Sequence, residues 1–100
     1  HFAAFEEANI IGVGRLDHVD FGVCQIRFMA VQPTYQSNGI GANLMNTMET
    51  KAWNSGATEI ILHARAHALG FYEKLGYVCI EPSHLLFGEI QHFLMKKKKG

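Results

Sequence analysis

The sequence predicts a mixed α/β sheet with the element order β-β-β-α-β-α-β-β, and three observations carry that expectation. Short apolar runs separated by polar turns fill the first third of the chain. A single stretch of helical periodicity follows a glycine-rich loop. A buried strand pattern then returns directly after the helix. In order, residues 1–5 alternate weakly and read as a strand, and residues 6–9 as a turn. Residues 10–16 form a second strand, and 17–22 a polar turn. Residues 23–31 are the longest β-like segment, which Pro33 stops. Three strands joined by short turns imply an antiparallel meander.

Ile40, Leu44, Met45, Met48, Ala52 and Trp53 recur at spacings of three and four, which places them on one helical stripe. Ser37 or Asn38 can cap that helix, and Gly56 suits the C′ position. Residues 59–62 read as a short buried strand. A strand, helix and strand in this order imply a parallel pair joined by a right-handed crossover. A second helix is expected over 67–75, ending at Gly76. Strand 77–80, a loop over 81–88 and a last strand over 90–95 complete the chain.

With 100 residues, 48% of them hydrophobic, the chain bounds one small domain, residues 1–95, followed by a basic tail at 96–100. Formal net charge is zero, so no global field recruits nucleic acid or an anionic membrane. A terminal lysine run, Lys96 to Lys99, reads as a solvated, disordered end. Cys24 and Cys79 sit in apolar runs and read as buried free thiols rather than as a disulfide or metal set. No apolar stretch approaches the ~18 residues of a membrane span and no leader pattern is present, which makes the cytoplasm the default compartment.

The loop at residues 36–42 is the chemically informative segment. A strand feeding a glycine-rich loop at a helix start is an anion-binding device. The first N–H groups of a helix lack intrahelical partners, and the dipole favours negative charge there. No Gly-Lys pair follows, which removes a P-loop. Gly39-Ile40-Gly41 is followed by Leu44 where a dinucleotide fingerprint has its third glycine, and Gly12-Val13-Gly14 by Asp17.

Gln36-Ser37-Asn38-Gly39-Ile40-Gly41 instead resembles the Gln/Arg-x-x-Gly-x-Gly/Ala loop of the GNAT superfamily of acyl-CoA N-acyltransferases. The segment from Met29 to Gln36 resembles the strand and entry loop that precede it there. Gly70-Phe71-Tyr72-Glu73-Lys74-Leu75-Gly76-Tyr77 resembles the second motif of that family. The resemblance implies an acetyl-CoA-dependent N-acetyltransferase that acts on an amine of a small molecule or peptide by direct transfer. Acetyl-CoA is then the co-substrate. Its pyrophosphate would lie on backbone N–H groups of Ser37, Asn38, Gly39, Ile40, Gly41 and Ala42, with Gln36 at the loop entry. Its pantetheine arm would pair with the backbone of Met29 and Val31, where strands 26–31 and 59–63 splay apart. His67 stands where the family often has a pantetheine-contacting Asn.

Tyr72 takes the place of the general-acid tyrosine of the family, with Phe71 beside it and Phe71 and Leu75 as the core-facing positions. His63, at the end of the strand beside the splay, titrates in the range a general base needs. Glu89, His92, Asp20 and Glu6 are other candidates. His63 and His67 straddle a strand-to-helix break, so no metal site is expected from them. The resemblance also implies a shortened N-terminus, lacking the usual first strand and two helices. A fragment, a shortened domain and a wall supplied by a partner all remain open. Exposed sheet surface in the latter cases favours a homodimer. A non-catalytic coenzyme A-binding module that has lost its acceptor site is the rival reading.

Overall fold

The first three strands form an antiparallel meander, as the alternation in the sequence requires. In the computed structural model they are β1 (Phe2–Glu6), β2 (Asn9–Asp20) and β3 (Val23–Val31). The structure describes residues 2–6, 9–31, 39–83 and 91–100, with backbone only for 2–6, 9–12 and 28–31. Helix α1 (Ile40–Asn54) leads into β4 (Glu59–Arg65), then a 3-10 turn (Ala66–Ala68), α2 (Leu69–Lys74), β5 (Val78–Pro82) and β6 (His92–Lys98). The six strands lie in the order β1-β2-β3-β4-β6-β5, and β3 and β4 are parallel. The element order and the parallel pair are those the sequence implies.

Several boundaries differ, each for a non-local reason. The polar segment 17–22 is not a turn. β2 runs on to Asp20, making it longer than β3, and only Phe21 and Gly22 turn. Asp17 stays in the strand because of its neighbours across the sheet. Arg15 and Arg27 face each other in the β2–β3 register, an arrangement that like charges disfavour. Asp17 lies 3.0 Å from Nε of both and offsets that repulsion.

The cap of α1 is Gly39, at φ 77, with no side-chain cap bond; Ser37 and Asn38 lie outside the described residues. Gly56, at φ 99, follows the helix as expected. The span expected as one helix over 67–75 is a 3-10 turn followed by the shorter α2, because Arg65 is still extended (φ −74, ψ 156) and Ala66–Ala68 wind tightly behind it. Tyr77 precedes β5 rather than belonging to it, and β5 continues to Pro82. The expected start of the last strand at Ile90 lies outside the described residues.

The lysine run is not a loose tail. Lys96 and Lys97 are interior to β6, paired with Ile61 and Ile60, and the Lys99 N–H reaches the Thr58 carbonyl at 2.9 Å. Lys96 is 2.6 Å from Glu59 and Lys97 is 3.0 Å from Glu49. Both carboxylates are distant in sequence, which is why the run looks unpartnered when read linearly.

The core forms where one face of β3, β4 and β6 meets the two helices. Met45 and Met48 of α1 pack with Ile60, Leu62, Met95 and Tyr77, and Leu69, Tyr72 and Leu75 close over them. Cys24 is buried there, and burial pushes its thiol above the usual value, with a Ser55 hydrogen bond opposing in part. Cys79, expected to be buried, is exposed, because every residue of edge strand β5 is. Phe71, expected in the core, is 37% exposed, while its neighbour Tyr72 packs inward. Ile60 is completely buried on a central strand, so Ile60→Ala is expected to cost about 3 kcal/mol in urea unfolding. A cost below about 1 kcal/mol would show that this core is not close-packed.

Candidate active site

The site begins where the sheet forks. β3 and β4 are paired over four positions, from Val23↔Glu59 to Ile26↔Leu62. Beyond that point both strands continue without each other. β3 remains held by β2 through Arg27, Ala30 and Val31. β4 remains held by β6 through His63, Ala64 and Arg65. The inner edges of the two strands past Ile26 and Leu62 therefore present backbone groups with no ladder partner among the described residues. Alternate residues of a strand direct their N–H and C=O to the same side, so Met29 and Val31 share one edge.

The start of α1 supplies the second part. Gly39 adopts the left-handed conformation, which a residue with a Cβ enters at a cost of roughly 1 kcal/mol. The first helical bond is Asn43 N–H to the Gly39 carbonyl at 3.0 Å. The N–H groups of Ile40, Gly41 and Ala42 precede it, so the helix cannot satisfy them. No acidic side chain occupies the first turn to repel an anion. Gln36, Ser37 and Asn38 lie outside the described residues.

Candidate groups lie on both faces of the sheet. On the helix side, Tyr72 of α2 is half-buried against the core. Its ring meets Phe71 edge-on at 5.1 Å and Tyr77 at 6.0 Å. Burial pushes its phenol above the ordinary value, which keeps it protonated. On the opposite face, His63 alternates with the buried pair Leu62 and Ala64. It is the first β4 residue past the fork. Its Nδ1 sits 2.6 Å from Ser83 Oγ.

Ser83 is itself clamped. Its N–H donates to the His92 carbonyl at 2.8 Å, and Gln91 Nε2 donates to its carbonyl at 2.7 Å. Sequence reasoning missed Ser83, since nothing in the local pattern links it to a histidine twenty residues away. Partial burial of the ring is the largest cause holding His63 below its usual value, and the charges of His92 and Arg27 add to it.

The remaining candidates are less central. His67 is exposed in the 3-10 turn between β4 and α2. Asp20 lies at the far end of β2 and bonds the Phe21 N–H at 2.7 Å. Glu89 lies outside the described residues, and of Glu6 only the backbone is described. Among the described residues no group of three or more His, Cys, Asp or Glu could hold a metal. Among the same residues no helix is long and apolar enough to cross a membrane.

A site histidine held below 6.5 favours the neutral form in the folded state. Its contribution to stability is thus fully present above pH 6.5 and lost as pH falls through the folded midpoint. NMR titration of the His63 ring is expected to give a midpoint below 6.5. His92→Gln or Arg27→Gln should raise it, and a midpoint that ignores both would refute the electrostatic account.

Comparison with known proteins agrees with this architecture. Residues 1–99 match the family model described as "Acetyltransferase (GNAT) domain". The chain is 30% identical over 97 residues to the uncharacterised N-acetyltransferase YjcF of Bacillus subtilis (strain 168), covering 97% of this chain and 69% of that one. It is 31% identical to YyaT of the same organism, covering 98% of this chain and 65% of that one. The chain thus spans about two thirds of the length of these curated relatives.

Among solved structures, a GNAT family acetyltransferase from Elizabethkingia anophelis with acetyl-CoA bound shares the fold. Its TM-score is 0.88 at 21% identity, over 97% of this chain and 74% of that one. The PaiA N-acetyltransferase from Thermoplasma acidophilum in complex with coenzyme A gives a TM-score of 0.83 at 23% identity, over 97% and 58%. With the forked sheet, the open helix start and the family match over residues 1–99 together, this chain belongs to the GNAT family of acetyltransferases.

Proposed function

We propose that this protein transfers the acetyl group of acetyl-CoA to an amine of a small molecule or peptide, by direct attack in a ternary complex. The observation that carries the reading is the fork after Ile26 and Leu62, in a sheet with Tyr72 packed against the core on the helix side and His63 on the opposite side of β4. A thioester lodged in that gap would have its sulfur on the tyrosine side and its carbonyl open to an amine from the histidine side. The acetyl-CoA and coenzyme A complexes among the similar folds support the same ligand here.

Each part then has a physical task. The pyrophosphate is held by the N–H groups of Gly39, Ile40, Gly41 and Ala42, with Ser37 and Asn38 assigned the same task from the sequence, and without a basic patch. The pantetheine arm pairs as a strand with the free edge of β3 at Met29 and Val31. His67 and Phe71 flank it at the approach to α2. A backbone N–H of the β3 edge polarises the thioester carbonyl.

The acceptor amine must be neutral to attack. Neutral His63 takes its proton, directly or through one water. If Nδ1–H donates to Ser83 Oγ, Nε2 carries the free lone pair for that step. The C–N bond forms, the tetrahedral intermediate collapses, and the C–S bond breaks. The departing thiolate then receives the hydrogen bond of Tyr72. Full proton transfer from a tyrosine to an alkyl thiolate is already uphill by roughly 2 kcal/mol. Burial raises the Tyr72 phenol further, so a hydrogen bond, with the proton reaching sulfur later from solvent, is the lower path. Cys24 is buried with a raised value and Cys79 lies on the outer edge strand, so neither supports a covalent acyl-enzyme route.

A homodimer belongs to the same proposal. Val78 and Ile80 on edge strand β5 are 62% and 49% exposed, which favours self-association. Light scattering checks this, and a monomer at high concentration would contradict it.

Two measurements test the activity. Acetyl-CoA at about a hundredfold excess over its Kd should stabilise the fold by about 2.7 kcal/mol. Thiol release from acetyl-CoA across a panel of amines should reveal an acceptor, and Tyr72→Phe should slow the best reaction about a hundredfold. Stabilisation without thiol release from any amine would instead mark a coenzyme A-binding module.

A further inference from the structure

We infer that Glu49, Tyr77 and Lys97 form a brace that sets the position of Tyr72, and that they are positioning residues for the transfer step. This inference rests on the proposed role of Tyr72 in transfer. Glu49 is a buried acid in the middle of α1, only 7% exposed. A carboxylate is not buried without partners that offset its desolvation. Both of its oxygens are matched. Oε2 accepts from the Tyr77 hydroxyl at 2.8 Å, and Oε1 accepts from Lys97 Nζ at 3.0 Å.

The brace reaches α2 by three routes. Lys97 Nζ also donates to the Leu75 carbonyl at 2.7 Å, holding the end of α2 from β6. The Tyr77 N–H donates to the Tyr72 carbonyl at 3.1 Å. Finally, the Tyr77 ring stands edge-on to the Tyr72 ring. Helix α2 needs such support. It has six residues, none of them buried, and no side-chain cap at its start. So short a helix cannot hold its own geometry in water.

Glu49 also lies on the helix whose first turn offers the open N–H groups. The brace therefore ties the two ligand-facing helices to each other and to β6. It fixes the distance between the start of α1 and the Tyr72 hydroxyl, and a misplacement of about 1 Å in such a group can cost up to a hundredfold in rate.

Tyr77→Phe is the mild test, since it removes one hydroxyl while keeping the ring and the Lys97–Glu49 pair. The variant is first shown to unfold cooperatively in urea. We expect kcat to fall about tenfold with KM for acetyl-CoA little changed. In a Tyr72→Phe background the same substitution should cost under about twofold, because the group it positions is gone. Equal losses in both backgrounds would overturn the inference.

A second readout does not depend on activity. With 3-fluorotyrosine incorporated, and resonances assigned by Tyr→Phe variants, the fluorine signal of Tyr72 should shift or broaden in Tyr77→Phe and in Lys97→Met. An unmoved Tyr72 signal in both would refute the brace even if the chain is no enzyme. Should Tyr72→Phe itself leave thiol release intact, the catalytic reading of Tyr72 fails, and the fluorine signal still decides whether the brace positions it.

Discussion

Four residue pairs hold β3 against β4, and the rest of the structure depends on the ladder ending there. Were it to continue, the sheet would be closed and its backbone groups spent on each other. Because it stops, β3 and β4 diverge while each stays anchored on its outer side, by β2 and by β6. The edges without a ladder partner among the described residues can accept one that offers strand-like hydrogen bonds. An extended amide chain is such a partner, and the pantetheine arm of coenzyme A is one. In the proposed function the fork thus turns a feature of sheet architecture into a binding slot.

Electrostatics follows the same economy. The chain has no net charge, yet its proposed ligand is strongly anionic. In the proposed complex, backbone N–H groups at the start of α1 would meet that charge without a basic patch. The charged side chains are used elsewhere. Asp17 lies between two opposed arginines, Glu59 faces Lys96, and Glu49 joins Tyr77 and Lys97 behind α2. Of these acids only Glu49 is buried, and its contacts alone among the three link both helices. The exposed pairs stabilise little.

Much of the fold was legible because its periodicities are strong. The meander, the stripe from Ile40 to Ala52 and the return to a parallel strand all show in local spacing. What was not legible depends on partners distant in the chain. Asp17 reads as a turn residue until Arg27 is seen across the sheet. The lysines read as a tail until Glu59 and Glu49 are placed beside them. Ser83 gives no local sign of His63. Glu49 did leave a signal, since it falls four residues after Met45 and three before Ala52, on the apolar stripe itself. An acid at such a position demands a buried partner. Phe71 and Tyr72 are adjacent, and a six-residue helix fixes too little periodicity to say which one faces inward.

Backbone amide NMR during titration with acetyl-CoA tests the central claim most directly. The account predicts large shifts at Ile40, Gly41 and Ala42 and along β3 beyond Ile26, with small ones at Val23, Cys24 and Gln25, where the ladder is already complete. Equal shifts along the whole of β3, or none at the start of α1, would show that the fork and the helix start are not where the ligand lies.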